Sequence, residues 1–319
     1  METLTRNAPD GTRLHIYRWL PEGAPVASMQ IAHGMGEHAA RYDATARALT
    51  AAGYAVYAKD HRGHGRAADP ARLGYMGPDG WNGTIRDAAA LSEIVRAEHA
   101  GVPHVLLGHS MGAMLAQQFV YRHGALIDAL ALSGSPGVAG RVQSWLSSGL
   151  ARLERWRHGA DQDSPLMQSL LFGKSNAAFD APGATGYEWL SRDGAQVQAY
   201  VDDARCGFVL RNGSLCELFA GAREARRRDN ALQIRRALPI YIFSGSDDPV
   251  HRGERNLARL RKLYEGHVLR VDYRIYPGGR HEMLNETNRD EVVQDLLGWL
   301  AGALPVPKST LESAARSPN

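Results

Sequence analysis

Ser110 sits in Gly108-His109-Ser110-Met111-Gly112, which fits the G-x-S-x-G pattern of a nucleophile held on a tight strand-to-helix turn. The apolar run Val105-Leu106-Leu107 precedes it, and a helical pattern begins at Met111. Such a turn projects the serine hydroxyl from the carboxyl edge of a sheet. Its glycines remove the β-carbons that would clash where strand and helix approach. The serine backbone there is strained, at a cost of roughly 1–3 kcal/mol. The alternative is a Gly-Ser turn that merely opens a helix, and the residues downstream weigh against it.

A serine hydroxyl is a weak nucleophile, so it needs a histidine base oriented by a buried carboxylate. With this turn the chain order is serine, acid, histidine. Among the 13 histidines, His281 follows the strand pattern ending Ile275-Tyr276 and the loop Pro277-Gly278-Gly279-Arg280. That loop can present an imidazole to Ser110. His123, His158, His251 and His267 have no comparable setting. The acid belongs at the end of the preceding strand, in Phe243-Ser244-Gly245-Ser246-Asp247-Asp248-Pro249-Val250. The spacing Gly-x-x-Asp followed by Pro-Val favours Asp248. Asp247 is the competitor, otherwise a solvated or turn-capping carboxylate. An oxyanion needs two donors, each worth ~10²–10³ in rate. The backbone N–H of Met111 is one, and the N–H of Met35 in His33-Gly34-Met35-Gly36 is the other. The two methionine side chains either line an acyl pocket or pack in the core.

The elements that must hold these residues alternate. Pro9-Asp10-Gly11 is turn chemistry ahead of the strand pattern Leu14–Trp19. Strands follow at Ser28–His33, Tyr54–Ala58, His104–Leu107, Ala129–Leu132, Pro239–Phe243 and Arg270–Tyr276. Helices are expected at Arg41–Ala52, Thr84–His99 with Thr84 as N-cap, Met111–His123 and Arg289–Ala303. This rhythm predicts an α/β fold, a mostly parallel sheet with helices on both faces. From Pro136 to Arg236 no strand pattern appears, which reads as an inserted helical cap. The division is therefore core at 1–135, cap at 136–236, core again at 237–304, and a polar, unstructured tail at 305–319.

His33-Gly34-Met35-Gly36-Glu37-His38, Asp60-His61-Arg62-Gly63-His64-Gly65, Gly108–Gly112, Gly245–Asp248 and Tyr276–Glu282 together resemble the monoacylglycerol lipase and lysophospholipase branch of the α/β-hydrolases, of serine aminopeptidase S33 type. The resemblance runs in order over residues 10–135 and 237–303. It implies the α/β-hydrolase fold, a triad at Ser110, Asp248 and His281, oxyanion-hole amides at Met35 and Met111, and no cofactor. It also implies a largely structural role for the loop with His61 and His64. The cap carries no transferable motif, and substrate choice lives there.

Trp145, Leu146, Leu150, Leu153 and Trp156 recur at near-helical spacing, with arginines among them. The stripe is expected to pack over the active site; the competing reading is an interfacial helix that dips into lipid. Leu166, Met167, Leu170, Leu171 and Phe172 form a second apolar patch with the same options. The run Arg223, Arg226, Arg227 and Arg228 is either a solvated helix face or a site for anionic head groups.

The chain has 319 residues, enough for a sizeable core, with 44% hydrophobic and 22% charged residues. The net charge of +3 is too small to argue for nucleic acid. Cys206 and Cys216 lie in what looks like helical sequence, and reduced thiols are the default. No Cys/His ligand pattern suggests a metal. The N-terminus shows no signal peptide and no run reaches the ~18 apolar residues of a spanning helix, so the expectation is a cytoplasmic protein, open to peripheral membrane contact through the cap. Oligomeric state, acyl length and head group are not encoded in these patterns. The leading function is hydrolysis of a carboxylic ester or lipid ester. Cofactor-free, haloperoxidase-type perhydrolysis on the same fold and a non-catalytic small-molecule receptor are the alternatives.

Overall fold

Turn chemistry sets the first hairpin. Gly11 takes φ +84°, the Ala8 N–H reaches the Thr12 carbonyl at 2.8 Å, and Asp10 accepts the Thr12 N–H at 3.0 Å. In this computed structural model, which describes residues 1–138 and 140–305, the hairpin joins β1 (Glu2–Asn7) to β2 (Arg13–Trp19). The tail expected to be unstructured lies outside the described residues except for Pro305.

Six further strands follow: β3 (Ala27–Ala32), β4 (Tyr54–Lys59), β5 (His104–His109), β6 (Ala129–Ser133), β7 (Ile240–Gly245) and β8 (Val271–Tyr276). They form one sheet in the order β1-β2-β4-β3-β5-β6-β7-β8. Pairing is antiparallel from β1 to β4 across β2 and parallel from β4 to β8. Every residue of β3 to β7 is buried, which requires cover on both faces.

Alternation along the strands divides that cover. Val105, Leu107, Ala131 and Phe243 pack against α1 (Asp43–Ala51) and α10 (Arg289–Ala303). Leu106, Leu132 and Ile242 face the other way, toward α2 (Gly80–Glu98), α3 (Met111–His123) and α9 (Glu254–Glu265). The fold is the α/β-hydrolase arrangement read from the sequence.

Between β6 and β7 the chain carries α4 (Arg141–His158), α5 (Pro165–Phe172), α6 (Gly194–Asp202), α7 (Asn212–Ala225) and the short α8 (Arg228–Ala231). Helix α7 shares the apolar core of α2 and α3 through Leu215, Leu218 and Ala222.

Three local expectations are corrected, and one helix is added. Helix α2 starts at Gly80, four residues before Thr84, whose hydroxyl instead donates to the Gly80 carbonyl at 2.9 Å. The free N–H groups at that end, Asp79 and Trp81, are taken by Glu217 of α7 at 3.1 and 2.9 Å, a cap from far along the chain. Helix α9 had no sequence expectation, yet Leu257, Leu260 and Tyr264 anchor it at helical spacing between charged residues. Cys206 lies in the turn after α6, while Cys216 is in α7, and both are free thiols. The α4 stripe does not pack inward: Trp145 is 73% and Trp156 81% exposed, with Leu146 and Leu153 also outside, and Leu150 is the member packed against the core.

Candidate active site

The sheet order reverses at β3 and β5. The chain crosses from β3 to β4 in one direction and from β4 back past β3 to β5 in the other. Loops leaving neighbouring strands in opposite directions open a crevice at their carboxyl ends. The loop after β3 holds Met35, and the turn after β5 holds Ser110. A β-carbon on Gly34 would lie 3.3 Å from that of Ser110, so the two loops are in contact.

Ser110 has φ +52° and ψ −114°, the strained turn that lifts its side chain off the strand. Its N–H is held by the Ser133 carbonyl at 3.0 Å. Gly112 packs on β3 so closely that a β-carbon there would collide with the Ala32 carbonyl. The side chain of Ser110 is half-buried and lines a cavity with His281. No hydrogen bond joins the two in this structure, a looseness common in unliganded sites. Neither the Met35 nor the Met111 N–H meets an acceptor among the described residues, and Met111 opens α3, where first-turn N–H groups are free.

His281 meets Asp248. Its Nδ1 lies 3.0 Å from each carboxylate oxygen, and both residues are buried. The Ser244 hydroxyl and the Val250 N–H also donate to Asp248, at 2.9 and 2.8 Å. Asp247 points to solvent and takes the Ser246 hydroxyl at 2.8 Å. Burial works against a charged imidazole, but the carboxylate of Asp248 outweighs it and pushes His281 above its ordinary value. Asp248 is held low in turn: burial opposes its charge, and His281 overcomes that.

Several residues beyond the expected triad and oxyanion amides complete the arrangement. Arg41 bridges the loops of Met35 and His281: it bonds Glu37 at 2.8 Å and clasps Glu282 through two nitrogens at 2.6 and 2.8 Å. Glu37 in turn accepts the Gly34 N–H at 2.5 Å and the Tyr42 hydroxyl at 2.9 Å. Burial raises the carboxyl of Glu37, whereas Glu282 is brought down to about 2 as Arg41 overcomes its burial. From the segment before α6, Trp189 places its ring 5.1 Å from that of His281 and its carbonyl 3.3 Å from the His281 N–H. His109 lies 4.7 Å from the His281 ring and is pushed down to about 3 by burial and by that neighbour, so it stays neutral. His251 donates from Nε2 to the Gly245 carbonyl at 3.1 Å and supports the Asp248 loop. His33, His61 and His64 form a buried, uncharged cluster of tilted rings next to the Met35 loop, and none of the three lines the cavities at Ser110.

Two cavities meet at Ser110. One of about 60 Å³ lies on the His281 side and includes Glu37, Tyr200 and Glu282. The other, about 700 Å³, opens past Met111 and Met114 between α5, α7 and the loop after β7. Among the described residues, His38, Asp203 and Cys206 are close enough to share a cation. Arg205 already holds Asp203 at 2.7 Å, and burial pushes the Cys206 thiol up to about 12, so that donor set is spent on its own contacts. No helix of the described residues is long and apolar enough to cross a membrane.

Comparison with known proteins places this geometry. The family model described as Serine aminopeptidase, S33 (Hydrolase_4) matches residues 23–288. A monoacylglycerol lipase of Mycolicibacterium smegmatis is 27% identical over 300 residues, covering 92% of this chain and 95% of its own. The mouse monoglyceride lipase is 26% identical, over 88% of this chain and 86% of its own. A thermostable carboxyl esterase from Bacillus coagulans, solved with glycerol, superposes with a TM-score of 0.86 at 25% identity, over 95% and 98% of the two chains.

Proposed function

Because the chain belongs to the serine aminopeptidase S33 family, Hydrolase_4, we propose that it is a carboxylic ester hydrolase acting on glycerol monoesters or similar lipid esters through Ser110, His281 and Asp248. His281, fixed by Asp248 in the cavity that contains Ser110, is the observation that carries this reading.

Ser110 Oγ attacks the ester carbonyl while His281 Nε2 takes its proton. The negative charge that develops on the carbonyl oxygen lies against the Met35 and Met111 N–H groups. As the tetrahedral species collapses, His281 returns the proton to the alcohol, leaving an acyl group on Ser110. Water activated by His281 then releases the acid. Asp248 keeps the Nδ1 proton in place and stabilises the imidazolium throughout. The departing alcohol must be within reach of His281, which lines the small cavity alone. The small cavity therefore takes the alcohol and the large one takes the acyl chain. Glycerol is of a size suited to the former, where Glu37 and Glu282 lie within a largely apolar wall. Helices α4 to α6 act as the cap, and the outward Trp145 and Trp156 meet a lipid surface.

A fluorophosphonate probe should label Ser110, and the enzyme should release free acid and glycerol from a monoacylglycerol. Ser110→Ala should lose both. Unchanged turnover in that variant would overturn the proposal.

A further inference from the structure

The large cavity carries charge of one sign. Lys174, Arg226 and Arg252 line it, and among the described residues no aspartate or glutamate does. Lys174 and Arg252 are exposed, whereas Arg226 is half-buried in the wall. Its guanidinium donates to the Gly137 carbonyl at 2.9 Å and has no carboxylate partner among the described residues. Burial opposes its charge and lowers its pKa from the ordinary value. Arg41, by contrast, is buried between two carboxylates. A guanidinium cannot shed its proton at neutral pH, so a partly desolvated one without a counter-charge is costly unless a ligand supplies it.

Its position along the cavity is equally specific. Helices α3 and α7 run side by side in the same direction: Gly221 of α7 lies against Gln118 of α3, and one turn further along both helices Arg122 bonds Glu224 at 2.9 Å. Ser110 is at the start of α3, and Arg226 follows the end of α7. Twelve residues of helix from Ser110 to Arg122 span about 18 Å at the rise of an α-helix. From there the Arg226 side chain reaches back to Gly137 in the loop after β6. Between the two ends the wall is apolar, with Met114, Leu215, Leu218 and Ala222.

We propose that the large cavity selects acyl chains that end in an anion, an ω-carboxylate, and that Arg226 is the residue that determines this specificity. The inference rests on the ester-hydrolase reading above. An apolar middle suits the methylene chain, and the guanidinium offers two parallel N–H groups to a carboxylate. Lys174 and Arg252 add positive potential to the same wall and draw the anion in. A simple fatty acyl chain fills the apolar part and leaves the cation without a counter-charge.

Two p-nitrophenyl esters of one chain length test this: the octanoate and the half-ester of suberic acid, which carries a free terminal carboxylate. The ratio of their kcat/KM values is read on one preparation, so a loss of active protein cancels. The wild type should favour the half-ester by about tenfold or more, the scale of one charge-assisted pair. Arg226→Gln should remove most of that preference through KM, and Arg226→Lys should restore part of it. A wild-type ratio of one or less, or a ratio untouched by Arg226→Gln, would overturn the inference and leave the ester-hydrolase reading intact. Turnover of neither ester would overturn both.

Discussion

Asp248 holds His281 symmetrically: the imidazole Nδ1 lies 3.0 Å from both carboxylate oxygens, and both residues are buried. This contact sets the tautomer, the orientation and the proton affinity of the ring at once. With Nδ1–H committed to Asp248, Nε2 is the nitrogen free to face Ser110.

The pH dependence follows from that pair. Acylation requires neutral His281, so kcat/KM falls as pH drops through its pKa in the free enzyme. Asp248 raises that pKa above 6.5 against the opposing effect of burial. The acid limb should therefore have its midpoint above pH 6.5. In Asp248→Asn the largest raising charge is gone while burial remains, with Glu282 and Glu37 as the smaller raising charges, so the midpoint should move down. The plateau rate should fall by about 10⁴-fold, because an amide no longer holds the correct tautomer. A pH–rate profile of both proteins with a soluble ester measures this; an unshifted midpoint would show that Asp248 does not govern the base.

Arg41→Met should destabilise the protein by about 3–5 kcal/mol, since it leaves Glu37 and Glu282 buried without their cation. Glu37 also fixes the Gly34 N–H beside Met35, so kcat should fall in whatever fraction folds. Chemical denaturation and active-site titration separate the two effects. A variant as stable as wild type would mean that the two carboxyls are neutral.

The sequence discloses this site unevenly, for a physical reason. The turn at Ser110, the loop of His281 and the choice of Asp248 rest on residues adjacent in the chain, where glycine spacing and strand ends are readable. The structure bonds His281 to Asp248, puts His281 in the cavity that contains Ser110, and turns Asp247 to solvent. Arg41 and Glu282 are 241 residues apart, and nothing local in either pairs them. Glu217 as the cap of α2 is hidden for the same reason. The outward direction of the α4 stripe is not legible in its sequence, because spacing reveals that a helix has an apolar face but not what covers it.

Gly112→Ala should fail to give folded enzyme. A β-carbon at 112 would overlap the Ala32 carbonyl, which is backbone in a buried strand and has no room to withdraw. Helix α3 would have to separate from β3, opening the junction that positions both Ser110 and the Met35 loop. Soluble yield and a thermal melt are sufficient readouts. A well-folded Gly112→Ala protein would mean that the elbow is not packed as described.

Trp145 and Trp156 lie on the outside of α4, eleven residues apart and so about three turns along one face. An indole exposed to water gains by entering the interfacial layer of a bilayer, where its ring is buried and its N–H can still find an oxygen. No carboxylate lies in the first turn of α4, and its last turn carries Arg155 and Arg157, which favour an anionic surface over a neutral one. The double variant Trp145→Ala/Trp156→Ala should therefore bind phosphatidylglycerol-containing vesicles at least tenfold more weakly in co-sedimentation, on the basis of two lost interfacial anchors. It should also lower the ratio of turnover on vesicle-presented monoacylglycerol to turnover on a water-soluble ester. Equal vesicle binding by wild type and variant would assign the exposed tryptophans some other role and remove the cap as a membrane contact.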